Sequence, residues 1–285
     1  MMQNNAVSIT QDEFEGFLSI LRTRTGIIPR ASHRDGIKSF IERRISEKHT
    51  SVLGYKNEIL SDEGLFTELV NESTVNETYF FREEKQFIFL RDKIFPQWKL
   101  MFGPGRIKIW SAACSYGEEA YSLALLAKSC GLNCSITASD INSIVLDHCR
   151  KGVFLDSSIR SVDGIAFQNL IAPYKTDDRM IVFSDEIKDF ITTKKINLSV
   201  IDSPSATLLL PKKQNIIFLR NVFIYFNQEL RAKVLRILAE NCLAGDGILF
   251  VSMSEIAQLD SDIVPPCLEK VVDGSVFYFH KREAV

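Results

Sequence analysis

The sequence predicts an α/β protein: a mostly parallel sheet with helices on both faces, preceded by a small all-helical domain. Three observations carry this. After Gly103-Pro104-Gly105, strand-like and helix-like segments alternate, as in a parallel sheet joined by crossover helices. Before that point, apolar residues recur three and four apart, the helical period. At the end, LEKVVDGSVFYFHK reads as a hairpin turning at Asp273-Gly274, which adds an antiparallel edge.

In chain order, residues 1–75 form the helical domain. Thr10-Gln-Asp-Glu13 is a capping box, and Phe14, Phe17, Leu18 and Leu21 follow at helix spacing. Ile37, Phe40, Ile41 and Ile45 mark a second helix whose other side carries Lys38, Arg43, Arg44 and Lys48. That basic side reads first as a solvated face and second as a dock for an acidic partner. A third helix is expected to start near Ser61, with Leu65, Phe66, Leu69 and Val70 inward. Residues 76–105 are a linker and a helix; residues 106–285 are the α/β domain. In it, RIKIWSAA, SITASD, NIIFLR and GILFVSM are strands. EEAYSLALLAKSCG, SIVLDHCRKG and QELRAKVLRILAENCLAG are helices. Between about residues 167 and 198 the alternation stops, and RMIVFS and KDFITTKKINL read as an inserted antiparallel ribbon.

The chain has 285 residues, 46% hydrophobic and 25% charged, enough for a sizeable core. Its formal charge of −2 argues against a nucleic-acid partner, which needs clustered Lys and Arg. No apolar run approaches the ~20 residues of a membrane span. MMQNNAVSITQDEFEGF lacks the apolar core of a signal peptide, so the cytoplasm is the expected compartment. The six cysteines show no CxxC pair and read as free thiols. The four histidines form no HExxH, and no metal site is expected.

Chemistry in an open α/β sheet sits at the carboxyl ends of its strands. The first strand is followed by Ser111-Ala-Ala-Cys-Ser-Tyr-Gly117-Glu118-Glu119, a tight loop with one glycine. A pyrophosphate-binding GxGxxG is missing. Asp140 ends the second strand, roughly 20 residues after the loop, where an acid can accept from ribose hydroxyls. A single-glycine loop with a ribose acid fits a nucleoside without pyrophosphate, of which S-adenosylmethionine is the common one. The alternative is that Asp140 caps the next helix. Arg220 and Asn221 end the NIIFLR strand beside the same crevice. An arginine on so apolar a run needs a partner, either a ligand group or an ion pair with Glu118 or Glu119. Asn197-Leu198 ends the ribbon in a comparable position and could border an adenine.

NETYFFREE, IWSAACSYGEEAYSLA, ASDIN, INL and IIFLRNVFIYF occur in the order found in the CheR family, which the chain resembles from Asn76 onward. These are chemotaxis-receptor glutamate methyltransferases. The resemblance implies a class I S-adenosylmethionine-dependent methyltransferase fold with a three-stranded antiparallel insert. It implies that the segment containing Asn76, Thr78 and Arg82 lies over the cofactor, with Tyr79, Phe80 and Phe81 packing the domain junction. It implies cofactor contacts from an acid of the Glu118-Glu119 pair, Asp140, Asn197, Leu198, Arg220 and Asn221, and catalytic roles for Arg82 and Tyr225. Without the family pattern, Tyr225 reads as a core aromatic. S-adenosylhomocysteine would be the product. The implied partner is the cytoplasmic helical bundle of a chemoreceptor, with possible recruitment to receptor arrays, and a monomer is expected. Tyr116 and Ala120 replace the family's usual threonine and proline. Tyr174-Lys-Thr-Asp-Asp178 lacks the glycine of a tether-binding loop. Two other readings stand beside this one: a carboxyl methyltransferase for a non-chemotaxis protein, and a cofactor-binding sensor without turnover.

Overall fold

The computed structural model describes residues 7–256, 259 and 261–282. Helix α1 (Gln11–Thr25) starts at the Thr10 capping box, in which Thr10 and Glu13 each accept from the other's backbone N–H. It stops at Gly26, whose left-handed backbone (φ 68°) lets its N–H reach Arg22 O at 2.8 Å. Helices α2 (Ala31–Glu47), α3 (Val52–Ser61) and α4 (Glu63–Ser73) complete the first domain. Phe17, Leu21, Ile37, Ile41, Tyr55, Ile59 and Leu69 are its fully buried centre. Helix α3 was not expected from the sequence. Its Leu53 and Leu60 are exposed and Gly54 interrupts it, so its apolar period is blurred. The cations of α2 are already paired: Lys38 with Glu42, Arg43 with Glu47, Arg44 with Glu47 and Glu68, and Lys48 with Glu58. The solvated-face reading fits this better than a free basic patch.

A helix then begins at α5 (Glu84–Phe89) and passes through a π-helical turn at Leu90–Ile94 into α6 (Phe95–Phe102). The sheet strands are β1 (Ile107–Ala112), β2 (Cys134–Asp140), β5 (Ile191–Lys195), β6 (Gln214–Leu219), β7 (Leu243–Val251), β8 (Leu268–Asp273) and β9 (Val276–Lys281). β3 (Val153–Leu155) and β4 (Met180–Val182) form a separate pair. The sheet order is β5-β2-β1-β6-β7-β9-β8, parallel from β5 to β7 and antiparallel at β9 and β8. Helix α7 (Glu118–Ser129) follows β1, α8 (Ser143–Lys151) follows β2, and Gln228–Ile237 lies between β6 and β7. Side chains alternate between two cores. Ile109, Phe218 and Phe250 join the α5–α7 side, while Trp110, Leu219 and Val251 join the side of Gln228–Ile237. No helix among the described residues is long and apolar enough to cross a membrane.

The insert differs from expectation. KDFITTKKINL is not part of a ribbon: Ile191–Lys195 pairs in parallel with β2 as the sheet edge. Only one side of it is half-buried and the other carries Thr192 and Lys194, so it lacks the continuous apolar run of an inner parallel strand. RMIVFS supplies β4, which pairs with β3 upstream, and a single bridge joins Lys175 to Ile181. The small sheet therefore spans 153–182, with two strands where the resemblance implies three.

The chain runs from β1 outward to β2 and β5, then returns to β6 and runs the other way. The reversal lies between β1 and β6, where a crevice opens at the carboxyl ends. The helical domain docks across this end. Asn197 Nδ2 donates to Arg24 O (3.0 Å), and Asn142 Nδ2 donates to Thr74 Oγ1 (2.7 Å). Gly26 sits against the sheet domain, where a Cβ would lie 2.5 Å from Leu230 Cδ2 and 3.1 Å from Ser199 Cβ. Gly26→Ala is therefore expected to cost about 1–3 kcal/mol, from left-handed strain plus the clash. Urea unfolding should show a lower midpoint at unchanged slope; an unchanged midpoint would refute the contact.

Candidate active site

At the crevice lies a cavity with about 1030 Å3 of space, part of it open to solvent. Its floor is the loop after β1. Ala113, Ser115 and Gly117 all have positive φ (111°, 51° and 110°), so the chain turns sharply and exposes backbone to the cavity. Ala113 N and Cys114 N both donate to Ser139 O at 2.8 Å. Ser115 N donates to Asp140 Oδ2 (2.9 Å) and Asn142 N to Asp140 Oδ1 (3.0 Å). Asp140 thus ties the ends of β1 and β2 together. Burial pushes its pKa up, and these backbone donors oppose that. The cap of α8 is Asn142, whose Oδ1 accepts from Ile144 N and Val145 N, so Asp140 is not the cap. Gly117 serves close packing: a Cβ there would lie 2.6 Å from Cys149 Sγ.

The two glutamates after this loop part company. Glu119 lines the cavity, accepts from Ser111 Oγ (2.6 Å) and lies 3.5 Å from Arg220 Nε. Burial raises its pKa, while Arg220 and Ser111 pull it down. Glu118 faces away. It is buried, accepts from Ser158 Oγ (3.0 Å), and its Oε2 has no hydrogen bond among the described residues. Desolvation pushes its pKa up to about 7.

The β6 side carries Arg220, only 6% exposed. Its Nη2 donates to Arg82 O (2.5 Å), and its Nη1 has no hydrogen-bond partner among the described residues. Both sequence readings of this residue are met in part, since it faces the cavity and pairs with Glu119. Asn221 adopts a left-handed backbone (φ 57°) held by Glu255, whose carboxylate accepts from Asn221 N (2.8 Å) and Ile224 N (3.3 Å). The sequence reading missed Glu255. The signal for it was available, since it is an acid just past the carboxyl end of the GILFVSM strand. Leu198 lines the cavity. Asn197 does too, but its amide is occupied by Arg24 O and its carbonyl accepts from Ser199, which makes it a strut between domains.

The roof is residues 74–82. Asn76, Thr78, Tyr79 and Arg82 line the cavity. Asn76 Nδ2 donates to Thr74 Oγ1 (3.1 Å) and Arg82 Nη1 to Glu77 O (2.8 Å). Of the three aromatics only Tyr79 faces the cavity. Phe80 packs on Phe154 and Phe183, and Phe81 stacks on Phe167 at 4.5 Å. Both anchor the roof in the sheet domain. Thr25 and Ile27 of the helical domain close one wall, a contribution to which no motif points. Tyr225 is half-buried on the opposite rim, with the Arg30 guanidinium 5.5 Å from its ring. Burial raises its pKa, and Arg30 and Arg82 oppose this. The structure thus brings together every predicted site residue except Glu118.

A family model described as CheR methyltransferase, SAM binding domain, matches residues 76–267. A chemotaxis protein methyltransferase 1 of Vibrio cholerae is 32% identical over 268 residues, covering 88% of this chain and 91% of that protein. A chemotaxis protein methyltransferase of Borreliella burgdorferi is 32% identical over 248 residues, covering 80% of this chain and 82% of that protein. One of Escherichia coli is 27% identical over 263 residues, covering 90% and 88%.

Glu118 supplies a pH prediction. Its folded pKa of about 7 lies above the ordinary 4.5, so the folded state keeps a proton that the unfolded state loses. Its contribution to stability is highest at low pH and falls as pH rises from 4.5 to about 7, by about 3 kcal/mol in all. Glu118→Gln should remove that fall, so the variant gains on the parent between pH 4.5 and 8. Equal pH slopes in chemical unfolding would refute the assignment.

Proposed function

The chain belongs to the CheR methyltransferase family, and on that premise we propose that it methylates glutamate side chains of chemoreceptors. It has the class I fold and is an S-adenosylmethionine-dependent methyltransferase. The observation that carries the substrate reading is the pairing of Tyr225, on the rim facing the roof, with the Arg30 guanidinium 5.5 Å from its ring. A guanidinium there favours a carboxylate in its ionised form.

The cavity residues fit the cofactor. Asp140 is buried at the end of β2, and its carboxylate keeps acceptor capacity for a ribose hydroxyl beyond its backbone donors. Arg82 makes no ion pair among the described residues and is suited to a carboxylate. Glu119 is the acid for an ammonium group. Arg220 Nη1 is a further donor, without an acceptor among the described residues. Ile141, Ile196 and Leu198 give an apolar wall for a base.

When bound, S-adenosylmethionine supplies a methyl group already activated by a positive sulfur. A glutamate carboxylate has a pKa of about 4.3 and is ionised near neutral pH, so it attacks without a general base. What this chain adds is position. Arg30 attracts the incoming carboxylate, and the Tyr225 hydroxyl, unbonded among the described residues, orients the attacking oxygen. The roof and the helical domain exclude water from the attack line.

The purified protein, labelled S-adenosylmethionine and membranes carrying chemoreceptors should yield label on receptor bands that leaves as methanol in mild alkali. Label stable to alkali, or on other proteins only, would refute the substrate. Arg82→Ala should raise KM for S-adenosylmethionine at least tenfold, as expected for loss of a charge-assisted hydrogen bond. Tyr225→Phe should lower kcat about tenfold, worth ~1.4 kcal/mol, with cofactor KM unchanged.

A further inference from the structure

Arg82 sits between two left-handed residues. Phe81 has φ 55° and Glu83 has φ 58°. Side chains other than glycine adopt that conformation only when their surroundings hold them there, and such strain gathers at functional sites. The double turn aims Arg82 at the cavity while sending Phe81 into the core.

Asp163 holds it. This residue lies in the loop between the two strands of the small sheet, far from the cavity in sequence. Its Oδ2 accepts from Tyr79 OH (3.0 Å) and from Glu83 N (2.7 Å). Its Oδ1 accepts from Glu84 N (3.0 Å) and from Gly164 N (3.0 Å). One carboxylate thus grips the roof on both sides of Arg82 and caps the first turn of α5. The loop is seated tightly: a Cβ on Gly164 would lie 2.8 Å from Phe80 O and 3.0 Å from Phe81 Cβ. From the other side, the Glu83 carboxylate accepts from Ser252 Oγ (2.6 Å) and Met253 N (3.2 Å), which prevents the turn from rotating about Asp163.

We propose that Asp163 is a positioning residue that fixes the left-handed turn at Glu83 and so aims Arg82 at the cofactor's carboxylate. The proposal rests on the assignment of Arg82 made above. It gives the inserted small sheet a part in cofactor affinity, although that sheet supplies no residue to the cavity wall.

The test is calorimetric binding of S-adenosylhomocysteine to the full chain, with Asp163→Asn, Arg82→Ala and the double variant. Asparagine keeps the shape but replaces one accepting oxygen by a donor. Asp163→Asn should raise Kd about tenfold, the effect of losing hydrogen bonds to a charged group. In the Arg82→Ala background it should raise Kd no further, because its target is gone. An unchanged Kd in the single variant overturns the proposal. So does an equal loss in both backgrounds, which would make Asp163 a general support of the fold. If Asp163→Asn does not fold, Tyr79→Phe removes one donor to the same carboxylate; it should raise Kd in the parent and not in Arg82→Ala. A parent that does not bind S-adenosylhomocysteine would instead overturn the cofactor assignment, and an Arg82→Ala variant with full affinity would overturn the role of Arg82.

Discussion

A buried guanidinium cannot stand alone, and Arg220 organises the site by that requirement. Taking an unpaired charge out of water costs several kcal/mol, so its neighbours must answer it. They come from four places. Glu119 approaches from α7, the carbonyl of Arg82 from the linker, and the rings of Phe87 and Phe218 flank the charge at 5.7 and 5.5 Å. The strand end, the loop after β1 and the roof are therefore fixed relative to one another by a single side chain. The same logic accounts for Glu255, a fully buried acid whose charge is met by the backbone donors of Asn221 and Ile224. Two buried charges of opposite sign, on adjacent strand ends, shape the segment that carries Tyr225.

The helical domain completes the cavity rather than standing beside it. Thr25 and Ile27 form a wall, Arg24 O takes the Asn197 amide, and Arg30 leans over Tyr225. Its second helix has its cations matched by glutamates of the same domain. Exposed pairs of this kind contribute little to stability, but they cancel the field an acidic partner would feel at a distance. Arg30, which makes no ion pair among the described residues, lies beside Tyr225 at the cavity rim instead. A carboxylate entering there would meet an unpaired cation beside Tyr225, which favours recognition of the reacting group.

Four of the parallel strands, their crossover helices and the antiparallel edge were legible because alternating apolar segments and their turns are local signals. So were Asp140, Arg220 and Asn221, since each ends a strand. The side chain that turns toward the cavity was not legible where it depends on helix phase. Glu118 and Glu119 are neighbours in sequence and about 100° apart around the helix axis, and only packing decides which one meets Arg220. Ile191–Lys195 was misread because an edge strand half-open to water looks like a ribbon strand. Asn197 was placed at the right wall, but its two partners lie in the helical domain and at Ser199, contacts no motif encodes. Asp163 had no sequence signal, because an acid in a polar loop carries none.

The three consecutive aromatics in NETYFFREE follow neither the helical nor the strand period because each serves a different surface. Tyr79 faces the cavity and Asp163, Phe80 enters the small-sheet core, and Phe81 joins Phe87 and Phe167. Side chains three in a row can diverge this way only if the backbone turns between them, and the left-handed residue at Phe81 is that turn. Both phenylalanines are fully buried, Phe80 N donates to Ser158 O and Phe81 N to Ser122 Oγ. That half of the segment is therefore part of the core and does not open as a lid. The polar half, from Asn76 to Tyr79 with Arg82, is the part that faces the cavity. A fixed apolar anchor within the segment lets the polar residues around it be held in place before any ligand arrives, and pre-organisation of that kind is what an in-line transfer without acid–base chemistry requires.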